Sequence, residues 1–290
     1  MSARSVLKQS SLRSAINNAT QSLIDARVAS PSVDARLIAA HLLGVPPTQL
    51  VLAEPYDGFD SEYTALIARR AAREPLQHIL GSAPFGVHDL KVGPGVFIPR
   101  PETEVLAEWA VEQAPRGTVV DFGTGSGALA IYIADRAKPE TVIGVEKSPA
   151  ALAVARENAA PFPNIRMIEG DMTDPDLLTE LSGTVDLVVA NPPYVPFTPE
   201  ESGELQPEIY RDPLDAVFSG ADGMDAIKGL LPVASRLLAP GGKLGIEHDD
   251  TTAALTRGLV EADGSFADIR NMADLTGRER FVTASKLRTH

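Results

Sequence analysis

Over the first eighty residues, apolar side chains recur at intervals of three and four. Beyond them come short unbroken apolar runs separated by helical stretches, so the chain divides into two kinds of structure. Leu12, Ile16, Ala19 and Leu23 share one face of a helix near 10–29, and the same spacing recurs over 32–43 and 60–73. Pro31, Ser32 and Asp34 mark the start of the second helix; Gly44 and Pro46-Pro47 mark its end. No alternating strand pattern appears here, so residues 1–80 are expected to form a helical bundle, joined onward through Arg73-Glu74-Pro75. Over 83–99, Phe85, Val87, Leu90, Val92, Val96, Phe97 and Ile98 interleave with Gly86, Gly93, Pro94 and Gly95, which predicts a β-hairpin linker spanning 81–100. From there the pattern is βαβα. Strands are expected at Thr118–Phe122, Thr141–Glu146, Ile165–Ile168, Val185–Ala190 and Lys243–Glu247, with helices near 127–137, 149–160 and 224–238. That alternation predicts a doubly wound, mostly parallel α/β sheet over 101–290. Phe266–Arg270 and Arg280–Ser285 read as a final antiparallel pair.

Composition narrows the chemistry. The 290 residues include no cysteine, which removes disulfides, thiolate ligands and cysteine nucleophiles and fits a reducing compartment. Five histidines lie scattered without ligand spacing, so no metal is expected. Residues 1–80 carry 8 basic and 7 acidic side chains and the remainder 18 and 32, so the net charge of −13 is +1 on the first part and −14 on the second. Such a body is a poor general binder of nucleic acid, whose phosphates call for Lys and Arg. No apolar run is long enough to span a membrane. Arg4, Lys8 and Arg13 among serines, with no acid before Ile24, share the composition of a transit peptide, but the continuing apolar stripe favours an ordinary first helix.

Four segments carry candidate chemistry. Asn191-Pro192-Pro193-Tyr194 follows a buried strand. Two prolines cannot continue a ladder, so the strand stops and a stiff turn begins. It reads either as a plain Pro-rich loop or as a rigid cluster of acceptors beside an aromatic ring, suited to a planar NH2 group. Asp121-Phe122-Gly123-Thr124-Gly125-Ser126-Gly127 follows the first strand of the sheet and opens a helix, and nineteen residues after Gly127 the next strand ends in Glu146. An acid there suits the two hydroxyls of a ribose. A ligand-free turn, a dinucleotide oxidoreductase and an S-adenosylmethionine enzyme all compete for this pattern. The spacing GxGxG, and an acid at Asp121 that would repel pyrophosphate but attract an ammonium, favour the third, together with Glu146 and Asn191 at later strand ends. Asp171 and Met172 offer either a carboxylate and a packing face for adenine, or a helix cap and a core methionine. Arg100 and Glu102 either shape the rim of a substrate pocket or, with Pro101 at helix position N1, simply start a helix. Glu247-His248 looks like an acid/base pair but reads better as a buried strand end supporting the pocket.

These segments, with Pro75 to Gly81 and Phe97-Ile98-Pro99-Arg100-Pro101-Glu102-Thr103-Glu104, make the chain resemble the bacterial peptide-chain release factor glutamine methyltransferases (the PrmC/HemK family) over nearly its full length. The resemblance implies a Rossmann-like class I S-adenosylmethionine-dependent methyltransferase with a seven-stranded sheet, and an N-terminal helical domain that helps grip the release factor. The reaction implied is methylation of the side-chain amide nitrogen (N5) of the glutamine in the Gly-Gly-Gln motif of class 1 release factors. By motif, Asp121, Gly123, Thr124, Gly125, Ser126, Gly127, Glu146, Asp171, Met172 and Asn191 would hold the cofactor. Asn191, Pro192 and Tyr194 would be catalytic, and with Pro193, Arg100 and Glu102 would bind the substrate. A monomeric cytoplasmic enzyme is expected, with no metal, membrane or direct nucleic-acid partner. Two positions depart from the family pattern: Glu146 where Asp is frequent, and Met172 where an aromatic is frequent. The alternative is a DNA or RNA methyltransferase acting on adenine N6 or guanine N2, since Asn-Pro-Pro-Tyr fits that chemistry equally well.

Overall fold

The computed structural model describes residues 3–196 and 213–288, except the side chains of residues 3–10 and 215. The chain forms two compact units, Met1–Ser82 and Ala83–His290. Among the described residues, no helix is long and apolar enough to cross a membrane.

The first unit is helical: α1 (Ala3–Asp25), α2 (Pro31–Leu43), α3 (Phe59–Ala71) and α4 (Leu76–Leu80), with a 3-10 turn over Pro47–Leu52. The expected stripe faces inward. Leu12, Ala19 and Leu23 are buried, Ile16 partly so, and they meet Ile38, Phe59 and Tyr63 in one cluster. Pro31 begins α2 and Gly44 ends it in the left-handed conformation that glycine adopts without strain. Asp34 does not cap that helix. Its carboxylate is buried and takes the Arg70 guanidinium at 2.7 Å, which neutralises two charges that neither helix could bury alone. The short α4 and the 3-10 turn have too few residues to show a period in the sequence.

The hairpin β1 (Ser82–Phe85) and β2 (His88–Lys91) starts at the boundary and, within the second unit, sends Phe85 and Leu90 into the core of the sheet domain. Then follow α5 (Thr103–Glu112), β3 (Thr118–Phe122), α6 (Ala128–Arg136), β4 (Thr141–Glu146), α7 (Pro149–Ala159), β5 (Ile165–Glu169) and β6 (Val185–Ala190). The chain closes with α8 (Leu214–Val217), α9 (Asp225–Leu237), β7 (Leu238–Glu247), α10 (Ala253–Asp263), β8 (Phe266–Ala273) and β9 (Glu279–Lys286). The seven strands lie in the order β5-β4-β3-β6-β7-β9-β8. The first five are parallel, and β9 joins antiparallel to both β7 and β8. Successive residues of one strand feed opposite faces. Val119, Leu187 and Val189 pack with α5, α6 and α7, whereas Val120, Val188 and Ala190 pack with α9 and α10. Burial on both faces is why these strands read as continuous apolar runs.

Two local expectations change, and a helix that was not expected appears. Strand β7 begins at Leu238 rather than Lys243, because an irregularity in its pairing with β6 absorbs Pro240, Gly241 and Gly242. Helix α10 shows no clear stripe in the sequence because its buried face is Ala253, Thr256 and Val260, small or polar residues. Pro101 is not at N1 of α5: Glu102 is the N-cap and Thr103 the first helical residue, after a turn in which the Thr103 N–H donates to the Arg100 carbonyl.

Candidate active site

The parallel ladders run in step, so their C-terminal ends finish on one edge. Phe122 pairs with both Val145 and Ala190, Glu146 with Glu169, and Ala190 with Ile246. Gly123, Glu146, Asp171, Asn191 and Glu247 are thereby gathered from five separate strand ends. The strand order reverses between β3 and β6, and such a switch point leaves a crevice. Here it is a cavity of about 910 Å³ lined by the glycine turn, Glu146, Asp171, Met172 and the Asn191–Tyr194 segment, with Phe97, Arg100 and Thr103 on its wall.

In the turn, Gly123, Gly125 and Gly127 have φ of 68°, 57° and 88°, a region that favours glycine. A Cβ on Gly123 would meet the Met172 methyl at 2.9 Å, a flexible side-chain end that can move aside, so it is the positive φ that calls for glycine here. The Gly123 and Thr124 N–H groups both donate to the Val145 carbonyl, at 2.9 and 3.0 Å. Glu146 is held at both oxygens: Gly125 N–H donates to Oε2 at 2.9 Å and Ser148 N–H to Oε1 at 2.8 Å. Each oxygen keeps a further lone pair, so an oriented, half-exposed carboxylate stands at the cavity wall, fit for a vicinal diol.

Asp121 is completely buried at the end of β3. Its Oδ2 accepts from Thr124 Oγ1 at 2.5 Å and Ala130 N–H at 3.2 Å, while Oδ1 has no partner. Desolvation pushes its carboxyl up to about 7, against the pull of those two donors. An orphaned buried acceptor on a cavity wall fits a cation, as the ammonium of S-adenosylmethionine requires. Asp171 is not a helix cap. Its Oδ1 accepts from the Thr173 N–H and hydroxyl, and its Oδ2 meets the Lys147 ammonium at 2.9 Å. Partial burial raises its pKa, but Lys147 and Thr173 prevail and bring it down to about 2. Met172 is half-buried against the core beside the turn.

On the other side of the crevice, Pro192 is buried and Asn191, Pro193 and Tyr194 are half-buried. Asn191 Nδ2 donates to Thr103 Oγ1 at 3.2 Å. The Tyr194 hydroxyl donates to Glu247 Oε1 at 3.3 Å. Beyond the prolines the segment is pinned by a parallel bridge, in which Val195 N–H donates to the Val217 carbonyl and Ser219 N–H to the Val195 carbonyl. Glu247 is buried, which pushes its carboxyl up to about 7, although the Thr103 and Tyr194 hydroxyls and the Arg280 charge favour ionisation. Burial and the Glu247 charge raise the Tyr194 hydroxyl well above its ordinary value. His248 is fully buried, and burial holds it below the usual imidazole range; its Nδ1 lies 2.8 Å from the Asp249 carbonyl. Neither member of the Glu247-His248 pair lines the cavity.

Arg100 lies on the cavity wall with its guanidinium 5.1 Å from the Phe97 ring centre. Glu102 is exposed at the N-cap of α5 and off the wall; its neighbour Thr103 takes that place. Thr103 belongs to the Phe97–Glu104 motif, but nothing in the sequence gives it a role of its own. Nor does the sequence mark Lys147 beside Asp171, or Asp225, Ala226 and Gly229 on α9, which close another part of the wall. Nothing in the local pattern of α9 distinguishes those three from an ordinary first turn.

Comparison with known proteins gives the following. Residues 14–81 match the PrmC N-terminal domain and residues 119–212 a methyltransferase domain. The chain is 54% identical to a release factor glutamine methyltransferase of Corynebacterium glutamicum, over 95% of this chain and 99% of that one. It is 51% identical to the protein of that name from Mycolicibacterium smegmatis, over 95% and 98%. A solved methyltransferase from Pyrococcus furiosus shares the fold with a TM-score of 0.50 at 16% identity, covering 79% of this chain and all of that one.

Proposed function

Since the chain belongs to the release factor glutamine methyltransferase family, we propose that it methylates the side-chain amide nitrogen of the Gly-Gly-Gln glutamine in class 1 release factors, with S-adenosylmethionine as donor. The observation that carries this reading is one crevice with two chemically different walls: a glycine turn with Asp121 and Glu146 on one, and Asn191–Tyr194 on the other.

Bound S-adenosylmethionine supplies an electrophilic methyl group on a sulfonium. Asp121 Oδ1 would receive the ammonium, and Glu146 the ribose hydroxyls. Asp171 and Met172 would flank the adenine, although the Asp171 carboxylate is already engaged by Thr173 and Lys147. An amide nitrogen is a weak nucleophile because its lone pair is delocalised into the carbonyl. Asn191 Oδ1 and the Pro192 carbonyl would each accept one N–H of the glutamine amide. Two acceptors drawing on its hydrogens orient the NH2 group and favour a pyramidal nitrogen. Buried Pro192 and the Val195–Phe218 bridge keep those acceptors in place before substrate arrives, and preorganisation of this kind supplies much of an enzyme's rate advantage. Holding the reacting atoms ~3–3.5 Å apart in line contributes up to roughly 7–11 kcal/mol. Tyr194 would cover the amide plane and exclude water. The proton leaves after methyl transfer, so no strong base is needed, and an already electrophilic sulfonium needs no metal to activate it.

The direct test is incubation with isotopically labelled donor and purified release factor, followed by mass spectrometry of the modified peptide. One methyl on the Gly-Gly-Gln glutamine is the expected result; label on DNA or RNA amines with none on the protein would refute it.

Cofactor affinity should also depend on pH. Asp121 titrates near 7 in the free enzyme, and a bound ammonium favours its ionised form. Binding must then displace a proton at acid pH, so affinity falls as pH drops through the free-enzyme pKa, to roughly tenfold weaker at about pH 6 than at about pH 7.5. Calorimetry at the two pH values checks this, and a flat profile would count against the ammonium site.

A further inference from the structure

The function proposed above gives Thr103 and Glu247 no contact with either reactant, yet both stand directly behind the Asn-Pro-Pro-Tyr segment. Thr103 is 3% exposed and Glu247 2%. Thr103 Oγ1 accepts the Asn191 Nδ2–H, and a hydroxyl has a single hydrogen to place elsewhere. Glu247, at the end of β7, already accepts the Tyr194 O–H at Oε1, and its Oε2 has no partner. An ionised carboxylate only accepts. The direction of the chain follows: Tyr194 donates to Glu247, the nearby Thr103 hydroxyl favours the ionised carboxylate, and a Thr103 hydrogen turned to that acceptor leaves its oxygen to accept from Asn191.

We infer that Thr103 and Glu247 are positioning residues that fix the polarity of the Asn191 carboxamide, turning Nδ2 toward the protein and Oδ1 toward the cavity. The two ends of an asparagine amide are nearly equal in size, so packing alone does not choose between them. A flipped Asn191 would set NH2 against the NH2 of the substrate, donor against donor. With Oδ1 outward, the two acceptors admit a carboxamide and reject a carboxylate, so this pair behind the site contributes to the choice of glutamine over glutamate. It also gives a task to the threonine of the Pro-Arg-Pro-Glu-Thr-Glu segment.

This inference rests on the function proposed above, and its test separates the two. Full-length Thr103→Val, Thr103→Ser and Glu247→Gln are compared with wild type at about pH 8, with cofactor Kd and thermal melting as controls. Thr103→Val removes both donor and acceptor at constant shape. It should lower kcat for release factor methylation about tenfold, with KM and cofactor Kd little changed, and Thr103→Ser should recover most of it. Glu247→Gln introduces a donor beside Thr103 and should also lower kcat. The side-chain 15N amide signal of Asn191, identified by its loss in Asn191→Ala, reads the bond with no substrate present. It should be shifted and solvent-protected in wild type and in Thr103→Ser, and released in Thr103→Val. Wild-type kcat in Thr103→Val, failure of Thr103→Ser to recover, or an Asn191 signal indifferent to Thr103→Val would each overturn the inference. If wild type fails to methylate release factor, the proposed function falls, and the amide signal still decides the polarity.

Discussion

Asn191→Ala is expected to lower kcat for methyl transfer by about 10²–10³-fold while leaving cofactor affinity essentially unchanged. The residue stands where β6 stops, one step past the Phe122–Ala190 pair that aligns it with the glycine turn. It is half-buried, and its only side-chain bond among the described residues runs to Thr103. Removing it takes away one of two preorganised acceptors without touching the donors that set Glu146 or the cluster around Asp121. The lost interaction belongs to the reacting nitrogen and strengthens as that nitrogen pyramidalises, so the effect falls on kcat rather than on KM. Rapid-quench kinetics with labelled donor, paired with calorimetry for the cofactor, separates the two quantities. A variant that turns over like wild type would remove Asn191 from the chemistry. A variant that fails only through a weakened cofactor Kd would move Asn191 to the other wall.

Asp121→Asn is expected to weaken cofactor binding by roughly 10- to 100-fold, the cost of one lost hydrogen bond to a charged group, while stabilising the cofactor-free enzyme. Both signs follow from one environment. In the wild type, Oδ2 is taken by Thr124 and Ala130, so the amide oxygen of an asparagine must occupy that position and its NH2 must take the place of the unpartnered Oδ1, where it would repel an ammonium. Stability moves the other way because the folded-state pKa lies above that of the unfolded chain. The folded protein then holds its proton more tightly between about pH 4 and 7, and the cofactor-free enzyme loses stability across that window as pH rises. Asparagine carries no charge to desolvate, so this dependence shrinks and the melting temperature at pH 8 rises. Equal loss of stability and affinity would mark Asp121 as a purely structural residue, and unchanged affinity would exclude it from the cofactor site.

Much of this was legible in one dimension because the causes are local. Strands buried on both faces must be apolar throughout, and β3, β4 and β6 were read to the residue for that reason. Two prolines end a ladder wherever they occur, which fixed the end of β6. Where the cause is a partner elsewhere in the fold, the sequence is silent. Asp34 does stand in the first turn of α2, but only the structure shows its carboxylate answering Arg70, thirty-six positions on. Asp171 lies on the cavity wall, and only the structure shows that Thr173 and Lys147 also hold it. Glu102 and Thr103 are adjacent, and only the helical rotation at the start of α5 decides that Thr103 turns inward and Glu102 outward.

The sequence by itself determined most of the longer helices and the strands in their order, the end points of β3, β4, β6 and β7, and the presence of a glycine turn and an acceptor-rich segment, because each follows from the backbone rules of a few neighbouring residues. Tertiary structure alone decided that the ends of β3, β4, β5 and β6 share one crevice, with Glu247 at the end of β7 behind it. It also left Oδ1 of Asp121 without a partner and placed Thr103 and Glu247 behind Asn191. Those outcomes depend on ladder register and on the exclusion of water from a packed interior, which no local stretch of chain encodes.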